Sequence, residues 1–160
     1  MAVKPDVREL TQEIGFKKVG QWKMEKTANK PKPERLDPAL WRERVLYAFV
    51  VEEDGRQSVA YIGACRCQDL RNRMGHYRNP SKKGSNQKRD RTNLEIHNRI
   101  KKALEEGNEV WIYAWKPPTR KEEFGNVELE IDMVMGLERS LIQKFKPPWN
   151  KECKGEGDGE

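Results

Sequence analysis

Two runs rich in β-branched and aromatic residues, VLYAFVV from Val45 and SVAYIG up to Gly63, flank the segment EEDGRQ, and no other feature limits the fold so strongly. Asp54-Gly55 between them is a hairpin signal, because both residues tolerate the positive φ that a tight turn needs. Each run is apolar at successive rather than alternate positions, which predicts strands covered on both faces and central in their sheet. Tyr47 and Tyr61 stand almost symmetrically about the turn, so a simple register makes them facing neighbours and brings two phenols together. Paired tyrosines in strands also serve packing alone, and the hairpin does not choose between the two uses.

Around this hairpin the pattern predicts helices over 67–77 and 93–106, the second ending at Gly107. A third strand, EVWIYAW, follows, and a last helix over 137–145 is stopped by Pro147-Pro148. The order β-β-α-α-β-α gives an α+β fold in which a small three-stranded antiparallel sheet is flanked by helices. Residues 1–44 are polar; TANKPKPERLDPA reads as a linker, and Asp37-Pro38 caps and starts a short helix, ALWRER. With 160 residues the chain has room for one domain of ordinary size. The expected organisation is an N-terminal arm over 1–44, a domain over 45–152 and a flexible tail over 153–160.

Helical geometry, with each residue advancing about 100°, sorts the polar side chains. In the first helix Arg73 and Tyr77 cluster with Leu70 and Met74 on the inward stripe, whereas Arg71 and Asn72 point away. A guanidinium placed there can brace a phosphate that accumulates charge, or snorkel past the core. In the last helix Leu137, Leu141, Ile142 and Phe145 define an apolar arc, and Glu138 falls inside it, away from Arg139, Ser140, Gln143 and Lys144. A carboxylate put where a leucine belongs needs a cation close by, so either a structural pair with Arg73 or a divalent-metal site accounts for it.

Charge is distributed unevenly. Between Arg66 and Lys102 twelve Lys and Arg face three acidic residues, a local balance of +9 within a net +6, so the remainder is mildly acidic. Much of this excess lies in NPSKKGSNQKRDRTN, a composition suited to gripping phosphates, although a charge run can also merely solubilise. The candidate nucleic-acid contacts are Arg78, Lys82, Lys83, Lys88, Arg89 and Arg91, with His97 at the edge of its helix's apolar stripe. Three cysteines, an odd number, fit a reducing compartment, and the C-x-C spacing of Cys65 and Cys67 does not suit a zinc cage with His76 and His97. No run approaches the roughly 20 apolar residues that span a bilayer, so no membrane partner and a cytoplasmic location are expected.

Taken together, these residues resemble the GIY-YIG nuclease superfamily over 45–150. The first family tripeptide is degenerate here, Val45-Leu46-Tyr47, and keeps its tyrosine, while Tyr61-Ile62-Gly63 matches the second. LRNRMGHY is similar to the helix that carries the family arginine, which places it on Arg73 and the aromatic position on Tyr77, with His76 beside it as the substitute. ERSLIQKFKPPWN is similar to the C-terminal motif of the excinuclease C amino-terminal domain, aligning its metal-binding glutamate with Glu138 and its asparagine with Asn150. The chain departs in its missing first glycine and in a gap from Gly63 to Arg73 two residues longer, which marks ACRCQD as an insertion. The resemblance implies a divalent ion, magnesium or manganese, on Glu138, with Tyr47 as general base and Tyr61 orienting the water. It further implies that Arg73 stabilises charge, that Tyr77 hydrogen-bonds a phosphate or the attacking group, and that Asn150 holds the glutamate-bearing helix. The expected activity is a restriction-type endonuclease on double-stranded DNA, working as a dimer; the alternatives are a repair or mobile-element nuclease and an inactive nucleic-acid-binding module.

Overall fold

The computed structural model describes residues 6–81 and 87–151, with side chains at all of these except 87–90. The hairpin is formed by β3 (Leu46–Glu53) and β4 (Arg56–Ala64). Its turn places Asp54 at φ 51° and Gly55 at φ 76°, two successive left-handed residues whose twist matches that of the strands. β5 (Glu109–Trp115) pairs antiparallel with β3, as expected for EVWIYAW.

The sheet does not stop at three strands. Two more, β1 (Lys17–Glu25) and β2 (Lys30–Arg35), come from the segment expected as an arm, and the order is β2-β1-β5-β3-β4. β1 pairs antiparallel with β5 and buries Val19 and Trp22 completely. A second, two-stranded sheet joins β6 (Arg120–Phe124) to β7 (Val127–Ile131), and Phe124, Val127 and Leu129 are exposed on it. The three-stranded expectation is thus corrected to five plus two; lysines diluted the pattern of β1, and Pro31 and Pro33 made β2 read as linker. Prolines are tolerated on an edge strand, where a missing N–H can face outward.

Register is the second correction. Phe49 pairs with Tyr61 and Val50 with Val59, so Ala60 is an extra residue bulging from β4, and Tyr47 faces Gly63 rather than Tyr61. The bulge reverses the facing of the residues beyond it. Val59 therefore packs on one side of the sheet, whereas Tyr61 packs with Tyr47 and Phe49 on the other. β4 is moreover an edge strand, not a central one.

Helices cover both faces. On the Tyr47 face lie α1 (Pro38–Trp41), α2 (Leu70–Arg78) and α3 (Gln87–Glu105), packing Trp41, Leu70, Met74, Tyr77, Ile96 and Ile100 against Trp22 and Phe49. On the opposite face α4 (Met133–Phe145) packs Val134, Leu141 and Phe145 against Leu46, Ala48, Val50 and Ile62. A π-helical turn over Glu9–Ile14 adds Leu10 to that second core. Among the described residues no helix is long and apolar enough to cross a membrane.

Candidate active site

The site forms at the β4 edge, where side chains from both faces converge on an open pocket of about 480 Å³. Asp69 caps α2 by accepting the Asn72 N–H at 2.9 Å, so the helix starts directly after the loop that leaves β4. One turn on, Arg73 turns inward. Its Nε donates to the Tyr47 hydroxyl at 3.0 Å, its Nη2 to the Tyr77 hydroxyl at 2.6 Å and its Nη1 to Asn93 Oδ1 at 3.0 Å. Tyr77 then links the other two phenols, 2.7 Å from the Tyr47 hydroxyl and donating to that of Tyr61 at 3.2 Å. Because the single proton of Tyr77 goes to Tyr61, Tyr47 is the donor in the first of these contacts. The hydroxyl proton of Tyr61 is left for the pocket.

Tyr47, Tyr61, Arg73 and Glu138 all line this pocket. Tyr77 is fully buried behind them and serves as the hub that ties two phenols to the guanidinium. Asn150 has a different task. Its side chain accepts from Ile62 N–H and donates to Ile62 carbonyl, both at 2.9 Å, which pairs the chain after α4 with the free edge of β4 beside Tyr61.

Burial dominates the electrostatics. It pushes the Tyr47 phenol far above its usual range, and the Arg73 charge opposes this only in part. Burial raises Tyr61 in the same sense, against hydrogen bonds from Tyr77 and the charge of Arg73. Glu138, half-buried, is likewise raised by loss of solvent, with Arg66 and Arg73 pulling the other way. Among the described residues Glu138 has no ion pair or hydrogen bond; the structural pair with Arg73 is not formed.

The expected phosphate contacts are scattered. Arg78 turns to β1 and pairs with Glu25 at 3.2 Å, while His97 donates Nδ1–H to the Tyr77 carbonyl at 2.6 Å and joins α3 to α2. Arg91 is exposed. Lys82 and Lys83 lie outside the described residues, as do the side chains of Lys88 and Arg89.

Three pocket residues escaped the sequence. Asn93, 5 % exposed, is the buried polar residue that fixes Arg73. Its signal was present, since it shares a helical face with Ile96 and Ile100, as Glu138 does with its leucines. Arg66 and Gln68 come from the ACRCQD loop and line the pocket wall, where the Gln68 amide nitrogen is buried without a partner. Loop residues carry no periodicity, so nothing local marked them.

A five-stranded antiparallel sheet with α2 and α3 on one face and α4 on the other defines an α+β fold shared with known nucleic-acid enzymes. The solved relatives are a mutant of bacteriophage T4 EndoII, with TM-score 0.65 and 23% identity over 90% of this chain and 98% of that one, and a restriction endonuclease, HPY188I, in complex with product DNA. The latter gives TM-score 0.50 and 14% identity over 96% of this chain and 87% of that one. No family model and no curated protein sequence matches the chain.

Proposed function

We propose that the protein is a divalent-metal-dependent endonuclease of the GIY-YIG type that hydrolyses DNA phosphodiester bonds, in the manner of a type II restriction enzyme. One observation carries the reading: a guanidinium held by two phenols and an amide faces, across an open pocket, a carboxylate with no protein partner among the described residues. The fold shared with a restriction endonuclease bound to product DNA supports it.

The residues fit magnesium or manganese held by Glu138. The carboxylate is half-buried, unpaired among the described residues and turned into solvent-filled space, and one protein ligand suits an ion that shares its shell with waters and phosphate oxygens. Bound there, such an ion would act as a Lewis acid on the phosphoryl oxygens and favour ionisation of nearby water and phenol. The protein groups divide the remaining work. Arg73, preorganised and partly desolvated, stabilises the extra negative charge on phosphorus as water adds. Tyr61, with its hydroxyl proton directed to the pocket, orients the attacking water. Tyr47 accepts a proton only with additional positive charge nearby, because burial works against its phenolate. The new bond is water oxygen to phosphorus, the ester bond to the departing sugar oxygen breaks, and that oxygen leaves as a hydroxyl.

The test is digestion of plasmid DNA with magnesium and with EDTA. Discrete magnesium-dependent fragments are expected; nicks or branch-dependent cuts would mark a repair nuclease, and binding without cutting an inactive module. Glu138→Ala should abolish cleavage and leave DNA affinity largely intact, and a fully active variant would remove Glu138 from the site.

A further inference from the structure

A second cavity, of about 750 Å³, continues from the site on the far side of Glu138. It is built on one face of α4, where Met135, Glu138, Arg139, Ile142, Gln143 and Lys146 recur at helical spacing, and Pro147-Pro148 close its end. The floor is apolar. Nearby cations differ in how they are used: Lys144 pairs with Glu9 at 3.3 Å and Lys151 with Glu95 at 3.4 Å. Arg139 and Lys146, both exposed on the rim, have no ion pair or hydrogen bond of their side chains among the described residues. Seven residues of helix set these two charges about 10 Å apart along the axis, a span of about three nucleotide steps at roughly 3.4 Å each.

We propose that this groove seats the DNA strand adjoining the scissile phosphate, with Arg139 and Lys146 on its backbone phosphates. The proposal rests on the nuclease reading above. Charge complementarity identifies the occupant: a polyanion that meets Arg66 and Arg73 on one side of Glu138 meets Arg139 and Lys146 on the other. The apolar floor of Met135, Ile142 and the proline pair suits sugar and base faces, which need no hydrogen-bond partner there.

The experiment measures binding of a short fluorescent duplex by anisotropy across a salt series in EDTA, for the wild type and an Arg139→Ala/Lys146→Ala double variant. Each phosphate contact contributes about 0.9 to the slope of log affinity against log salt, so the double variant should lose about 2 from that slope. An Arg139→Lys/Lys146→Arg variant, which keeps both charges, should retain it. In magnesium the double variant should cut with raised KM and nearly unchanged kcat. An unchanged slope in a wild-type background that binds and cuts would overturn the groove and leave the nuclease reading standing. So would a change confined to oligomeric state in sedimentation, which would give this face to a protein partner. A wild type that neither binds nor cuts would overturn both.

Discussion

A Cβ added to Gly63 would overlap Cζ and the hydroxyl of Tyr47, the residue directly opposite on β3. The glycine of the YIG tripeptide is therefore required by its neighbour's ring, since its own backbone needs no unusual conformation. Gly63→Ala should destabilise by about 1–3 kcal/mol through overpacking and abolish cleavage by displacing Tyr47. Tyr47→Ala should relieve the clash, so the double variant should be more stable than the sum of the single changes implies. Urea unfolding of the four proteins tests this, and simple additivity would show that the ring is not the cause. Glu138 makes a second prediction, through pH. Its carboxyl pKa is raised by burial, so the folded state holds the proton more tightly than the unfolded chain does. The charge therefore costs stability above the folded pKa, and that cost disappears as pH falls through the folded pKa and below the unfolded one. In EDTA, Glu138→Gln should melt above the wild type at pH near 8 and converge with it near about pH 4, the ordinary carboxyl range. An equal melting difference at both pH values would mean that the carboxylate is not desolvated.

At the level of elements, β4 shows where the sequence could be read and where it could not. The strand, its turn and its partner were legible from SVAYIG and Asp54-Gly55. Its register was not, because both faces of the hairpin are apolar and either register buries a hydrophobic run. Ala60 decides the matter by bulging out, and without it Tyr61 would face α4 instead of Tyr47. Glu138 and Arg73 were legible for the opposite reason: a charged residue on an apolar helical stripe is conspicuous against its neighbours. Asn93 fell between these cases, since a helix expected to begin there made it look like a cap, whereas α3 begins at Gln87. The edge of β4 depends on the segment after α4, where the Trp149 N–H donates to Ala60 carbonyl at 2.9 Å and Asn150 holds both polar groups of Ile62. Asn150→Ala should cost about 1–2 kcal/mol for two lost hydrogen bonds, with a fall in kcat as Tyr61 loosens. Asn150→Asp keeps the acceptor and loses the donor, so its urea midpoint should lie between those of wild type and Asn150→Ala. A midpoint at the wild-type value for both variants would show that the edge is satisfied by water.

For the whole molecule, the decisive departure from the sequence reading is that 1–44 is not peripheral to the sheet. β1 lies between β2 and β5, and Gly20 lets it approach α1 so closely that a Cβ there would come within 2.7 Å of the Trp41 ring. The Trp41 indole N–H in turn donates to Val19 carbonyl at 2.8 Å, fastening the short helix to the same strand. The two cores split the segment between them, with Val19, Trp22 and Trp41 in the one beneath Tyr77 and Val7, Leu10 and Phe16 in the one beneath α4. Polar composition hid this, because β1 reaches the core with few residues while its lysines face outward. A chain beginning at Val45 would leave β5 as an open, apolar edge and strip both cores at once. Burial of Leu10, Phe16, Val19, Trp22 and Trp41 at roughly 1.5–3 kcal/mol each is comparable with the entire margin of about 5–15 kcal/mol that holds a domain together. The truncated protein should therefore lack cooperative thermal unfolding and near-ultraviolet circular dichroism, and should be inactive for want of a fold even though it retains Tyr47, Tyr61, Arg73, Tyr77 and Glu138. A truncated chain that still unfolds cooperatively and cuts DNA would show that 45–151 is self-sufficient and that β1 and β2 are the appendage their composition suggests.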